Sequence, residues 1–280
     1  MKEAFERVLR RDRTITAAGL MALCALAWAY VLTGAGFGMT LGDMISLSLF
    51  PHRAATSPMA GMDMPGMSMA PPVAWTPRLW LLMTAMWTVM MVAMMVPSAT
   101  PTILLYGRVR AQAQARGRSV GLAPSGVFAG GYLLVWLGFS VLAATVQWAL
   151  QASGLLSTEA MKSQSRWLSV AVLMGAGAWQ FSPLKNLCLT QCRSPAQFLA
   201  RHWRAGTIGS LRLGVLHGAY CVGCCWVLMG LLFVAGVMNL IWITALALLI
   251  MAEKLLPWGA WVGRAAGALL MVWGAATILL

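Results

Sequence analysis

The chain has 280 residues, 60% hydrophobic and only 10% charged, with 21 Met, 14 Trp and a mean hydropathy of +0.76. Soluble domains carry about a quarter charged residues, so an ordinary water-soluble enzyme is excluded, and the apolar content excludes a mainly disordered chain. The net charge of +13 comes with no basic face interleaved with aromatics, which argues against nucleic acid; it reads instead as positive charge kept on one side of a bilayer.

The expected fold is all-α: a polytopic membrane bundle of about seven transmembrane helices, each needing about 20 apolar residues. In chain order the spans are Thr14 to Gly34, Leu79 to Leu105, Ala123 to Leu150, Trp167 to Pro183, Leu213 to Ala235, Asn239 to Ala252 and Trp258 to Leu280. A tight break at Gly236 separates the fifth from the short sixth. With the N-terminus inside and the C-terminus outside, sixteen of the 20 Lys and Arg residues fall in inner segments, and only Arg53, Arg78, Lys162 and Arg166 fall outside. That asymmetry predicts a multi-pass membrane protein with this orientation. Three regions follow: 1–34, the basic start and first helix; 35–77, an external Met-rich loop; and 78–280, a six-helix membrane domain. The small-residue pattern Ala27-Trp28-Ala29 leaves cleavage of the first helix as an alternative. Gly214 and Gly218, and Gly263 and Gly267, recur four apart and predict close helix packing.

The external loop holds Met59, Met62, Met64, Met67 and Met69 among Gly, Ser and Pro. Pro58, Pro65, Pro71 and Pro72 prevent a regular helix, so these residues form no helical core face. Thioether sulfur is a soft neutral ligand, and soft ligands select Cu(I). His52 and Asp63 are candidate supplementary ligands for Cu(II). The bland alternative is a low-complexity linker.

In the second span Met83, Met86, Met90 and Met94 share one helical face, with Met91 and Met95 beside them. Such a stripe is usually packing, since Met is an adaptable filler. Following a Met-rich loop, it is also a candidate relay for a soft cation. Pro97 and Pro101 are expected to kink this helix and free carbonyls near Ala93 and Pro97.

The sharpest chemistry lies in the fifth span. His217, Cys221, Cys224 and Cys225 fall at i, i+4, i+7 and i+8, so all four project from one side, beginning about one turn past Arg212. Ionisable groups in a span are functional candidates by default, and thiolates with an imidazole suit Cu(I) or Zn(II). Cys188 and Cys192 form a second i, i+4 pair in the segment joining the fourth and fifth spans, placed to approach the first cluster. Cys24, alone in the first span, reads as packing. Cys221-x-x-Cys224 also has the spacing of a dithiol couple, although an external cysteine pair to receive electrons is lacking. Glu253 is expected either to pair at the interface with Lys254 or Arg264 or to support a bound cation from behind its ligands. His202 and Trp203 lie in a basic inner loop and are expected to meet lipid headgroups. No phosphate-binding Gly loop and no Ser/His/Asp arrangement can be assembled, so an enzyme is the less favoured reading.

Several stretches carry a family resemblance: Met90-Met91-Val92-Ala93-Met94-Met95-Val96-Pro97-Ser98, Phe181 to Lys185 with Cys188 and Cys192, Tyr220 to Met229, Gly236 to Asn239, and Glu253-Lys254. Over residues 75–280 the chain resembles the bacterial predicted metal-binding integral membrane proteins, a domain-of-unknown-function family. The resemblance implies a polytopic bundle with a metal-ligating cysteine cluster; the Met-rich loop lies outside it. The leading expectation is copper handling (capture, transfer or transport), with zinc or iron as alternatives. Membrane lipid, the metal ion and a metallochaperone or cuproenzyme are the expected partners. Two other readings stay open: a membrane thiol-redox protein using Cys221 and Cys224, and a non-catalytic assembly subunit.

Overall fold

Every apolar segment forms a helix in the structure, a computed structural model that describes residues 2–37, 39, 41–45, 75–115, 124–158, 161–204 and 206–279. The helices are α1 (Lys2–Leu32), α2 (Leu41–Met44), α3 (Pro77–Ala115), α4 (Ser125–Ala152), α5 (Arg166–Phe181), α6 (Pro183–Arg193), α7 (Pro195–His202), α8 (Gly206–Met229), α9 (Leu231–Ala235), α10 (Leu240–Leu255) and α11 (Gly259–Leu279). A 3-10 turn, Gly34–Gly36, follows α1. No strand occurs among the described residues; Leu156 and Ser163 form an isolated bridge. The Met-rich stretch Met59 to Met69, with His52 and Asp63, lies outside the described residues.

Five stretches are long and apolar enough to cross a membrane: Thr14–Leu32, Pro77–Ala113, Ser125–Ala152, Gly206–Ala235 and Gly259–Leu279. The other two expected spans are α5 and α10, of 16 residues each. At 1.5 Å per residue each reaches about 24 Å, short of a hydrocarbon core of about 30 Å.

Helix α3 is the axis of the packing. It touches α1, α4, α7 and α10, and Met86, Trp87, Met90, Met91, Met94 and Met95 are all buried, so sulfur lines its core-facing side. Pro97 and Pro101 both lie inside α3, which continues through them. Nearby hydroxyls bond back to the helix, Ser98 Oγ donating to Met95 O at 2.9 Å and Thr100 Oγ1 to Val96 O at 2.9 Å.

Two close crossings set the rest. At α4–α8, a Cβ on Gly214 would lie 2.0 Å from Phe128 O, and one on Gly131 would lie 2.3 Å from Leu211 O. At α5–α11, a Cβ on Gly267 would lie 2.6 Å from Gln180 Cβ. The backbones therefore meet where the sequence has no side chain, as small residues four apart allow. Gly236 breaks α9 from α10 with φ +106°, a conformation open to glycine, and Asn239 caps α10 by accepting from Ile241 N and Trp242 N.

Two short helices between α5 and α8 follow from local chemistry. Ser182 and Ser194 each precede a proline at the first helical position of α6 and α7, a favoured start because proline needs no N–H there. Ser182 Oγ also accepts from Leu184 N at 3.2 Å. The result turns the chain back so that α6 packs on α8.

Candidate functional site

The register expected for α8 holds. His217, Cys221, Cys224 and Cys225 are 2%, 1%, 1% and 0% exposed. Helix α8 starts at Gly206 rather than Leu213, however, so the cluster lies near the middle of the 30-residue stretch Gly206–Ala235 instead of toward one end. Cys224 Sγ and Cys225 Sγ each donate to Cys221 O at 3.0 Å. Helix α6 brings in the second pair. It sets the Cys192 thiol beside those of Cys221 and Cys224, which the Cys225 thiol also adjoins. Cys188 lies against Gly223, where a Cβ would be 2.8 Å from its Sγ. All five are free thiols. Cys24, on the distant α1, is also free and is half-buried.

His217 closes one side of this cluster. Its ring lies among Phe198, Tyr132 and Phe128, with centroids 5.2, 5.7 and 6.0 Å away. Its Nδ1 is buried without a hydrogen-bond partner, an uncommon state because a buried polar atom normally finds one. Tyr132 links the ring to the thiols, its own ring 5.7 Å from that of His217 and its Oη 3.2 Å from Cys221 Sγ; imidazole and thiol are donor types that soft metal ions take. Among the described residues no three His, Cys, Asp or Glu side chains form a ready-made ion cage; the thiols bond to one another, to backbone and to lysine.

That lysine was not anticipated as part of the site. Lys254 Nζ sits 2.9 Å from Cys221 Sγ and 3.2 Å from Ser98 Oγ, and Lys254 is 7% exposed. Tyr132 Oη lies 3.2 Å from the same sulfur and donates to Met95 O at 3.2 Å. Glu253, one residue earlier, turns the other way. It binds Lys185, whose Nζ lies 2.8 and 2.7 Å from its two carboxylate oxygens, and accepts from Gln180 Nε2 at 3.0 Å. Lys185 also donates to Gln180 Oε1. The expected interfacial pairing of Glu253 with Lys254 or Arg264 is therefore replaced by a buried pair, since Lys185 and Glu253 are each 1% exposed. Consecutive helical residues point about 100° apart, at 3.6 residues per turn, which is why neighbours of opposite sign serve different helices. Lys185, Lys254, Tyr132, Ser98 and Gln180 escaped the sequence reading; the available signal was two lysines flanked by apolar sequence.

The Met stripe reaches this level of the bundle. Met83, Met86, Met90 and Met94 are all buried, and the carbonyl of the next residue, Met95, shares Tyr132 with Cys221. Near its start, Gln147 is fully buried; it accepts from Trp87 Nε1 at 2.8 Å and donates to Met83 Sδ at 3.7 Å.

These features define a class: an all-helical, strongly apolar protein with buried thiols gathered from two helices. The family model described as PpoB2, copper chaperone, matches residues 84–277, and the chain belongs to that family. Its function is accordingly copper-related, in line with the expectation drawn from the sulfur residues. The matched stretch contains the thiols, His217, Glu253 and Lys254 and leaves out residues 35–77. No curated protein and no solved structure matches the chain.

Proposed function

We propose that this protein is an integral membrane copper chaperone of the bacterial cytoplasmic membrane. It holds Cu(I) at Cys221 and a second thiol among Cys192, Cys224 and Cys225, with His217 Nδ1 and Cys188 alongside. In this reading residues 1–34 and 78–280 supply seven spans with the N-terminus inside. Residues 35–77 form an outer collecting loop in which Met59, Met62, Met64, Met67 and Met69 capture the ion. Met83, Met86, Met90 and Met94 pass it inward by exchange between sulfurs, and the thiol site releases it to a metallochaperone or cuproenzyme. Lys185 and Lys254 are buried partners rather than loop charges, so the inside excess rests on the other fourteen basic residues against four outside; the asymmetry persists.

Charge supports monovalent cargo. The Lys254–Cys221 pair is neutral overall whichever atom holds the shared proton. When Cu(I) bonds to Cys221 and one further thiol, that thiol loses its proton. One copper ion, two thiolates and one ammonium then sum to zero, so no net charge is left in a poorly solvated interior, where it would be costly. Glu253 acts from behind: by binding Lys185 it fixes the end of α10 and so the direction of Lys254.

The observation that carries the proposal is the meeting of α6 and α8 thiols in the buried interior, on the same side of α8 as His217. Metal analysis of the purified full-length protein tests it. One copper per chain is expected, lost in the Cys192→Ser/Cys224→Ser/Cys225→Ser variant. Copper retained there would overturn the ligand assignment. Zinc or iron in its place would overturn the cargo, and a reversible disulfide without metal would favour thiol-redox chemistry.

A further inference from the structure

A second feature stands apart from the thiols. Between the end of α7 and the start of α8 is a cavity of about 120 Å³, lined by Arg201, His202, Trp203, Arg204, Arg212 and Leu216. Among the described residues none of the three guanidinium groups has an ion pair or hydrogen bond; Glu253 is engaged by Lys185, and His202 Nδ1 by Phe198 O. All three residues are exposed, and like charges gathered at one small space make it a favourable place for an anion. The geometry favours a multi-oxygen anion over a single carboxylate, since the planar fork of arginine binds two oxygens at once. The cavity also adjoins the start of α8, a 24-residue helix, whose dipole favours negative charge at that end.

The surroundings indicate where the oxyanion comes from. Ile208, Leu211 and Val215 of α8 are 83%, 37% and 37% exposed. Their spacing places them along one face of the helix, next to the face bearing Arg212 and Leu216. A polar cavity beside an uncovered apolar track matches a molecule with an anionic head and a hydrocarbon tail. We propose that this cavity binds a phosphate oxyanion, supplied by the headgroup of an anionic phospholipid whose acyl chain lies along Ile208, Leu211 and Val215.

Native mass spectrometry of the detergent-purified full chain tests this with three probes: phosphatidylglycerol, phosphatidylcholine and inorganic phosphate. Phosphatidylglycerol is expected to bind at least ten-fold more tightly than phosphatidylcholine. The preference should vanish in Arg201→Gln/Arg204→Gln/Arg212→Gln and persist in Lys162→Gln/Arg78→Gln/Arg166→Gln, which removes equal charge elsewhere. Inorganic phosphate should compete only at millimolar concentration. Binding of inorganic phosphate without any phosphatidylglycerol preference would overturn the lipid source while retaining the oxyanion site. A preference unchanged by the Arg replacements would overturn the site. Should the triple variant not fold, Arg212→Gln alone, on an exposed position of α8, gives the same readout, with at least a three-fold loss expected and no loss refuting the assignment. Copper content is independent of these outcomes, so the lipid site can fail while the thiol site stands.

Discussion

Replacing Lys185 by Met probes the buried charges most directly. Lys185 Nζ lies 2.8 and 2.7 Å from the two Glu253 oxygens, and both residues are 1% exposed. At an effective dielectric of 20, unit charges that close attract by about 6 kcal/mol, most of which offsets the cost of taking both from water. Removing one partner leaves that cost uncompensated, and such losses are about 3–5 kcal/mol. Lys185→Met is therefore expected to unfold far more readily in detergent, followed by tryptophan fluorescence against denaturant. Glu253→Gln should cost a similar amount by stranding the ammonium. In Lys185→Met/Glu253→Gln both charges are gone and the new amide can pair with Gln180. The double variant should recover to within about 1 kcal/mol of the parent, the net worth of an ordinary hydrogen bond. Costs that simply add would refute the account, since independent sites add and coupled ones do not. The double variant should also keep its copper, because the amide at position 253 still holds the end of α10 through Gln180, so Lys254 keeps its direction.

Two further outcomes follow from other parts of the fold. Gly214→Ala would place a Cβ 2.0 Å from Phe128 O, so α4 and α8 must part; a loss of about 1–3 kcal/mol, as in overpacked cores, is expected by thermal unfolding, whereas Gly130→Ala, with nothing within 4 Å, should be neutral or slightly stabilising. Lys254→Met removes the cation from the neutral copper site; a charge pair about 4 Å apart at a dielectric of 20 is worth about 4 kcal/mol, so Cu(I) affinity measured by chelator competition should fall by up to about a thousand-fold, and by much less in Lys254→Arg.

The helices were readable because span length and hydropathy act locally, and the α8 cluster because helical periodicity alone sets which residues share a side. The short helices α6 and α7 also had a local signature, Ser182-Pro183 and Ser194-Pro195, which reads as a cap and first turn. The i, i+4 spacing of Cys188 and Cys192 already suggested that this segment approaches the α8 cluster, as α6 does. The partners of Glu253 and Lys254 had no local signature. A lysine at the end of an apolar run looks like an interfacial charge, and only the approach of α6 to α10 makes Lys185 available. Pro97 and Pro101 lie inside α3; a proline within a long apolar run need not mark a helix end, because neighbouring side chains and helices can satisfy the backbone it frees.

The same contacts decide which cysteine reports cleanly on copper. Lys254 is buried, and its hydrogen bonds go to Ser98 Oγ and Cys221 Sγ; its neighbour Glu253 is taken by Lys185. Cys221 is thus both the proposed ligand and the group that answers a buried ammonium. Converting it to Ser removes copper binding and at the same time leaves that ammonium facing two hydroxyls, which stabilise a cation far less than a thiolate does. Loss of copper in Cys221→Ser would then report a disturbed α10 as readily as a missing ligand. Cys224 and Cys225 donate to Cys221 O, a carbonyl already engaged within the helix, so losing either thiol strands no charge. The ligand assignment is therefore decided at Cys192, Cys224 and Cys225, with Cys221 kept in place.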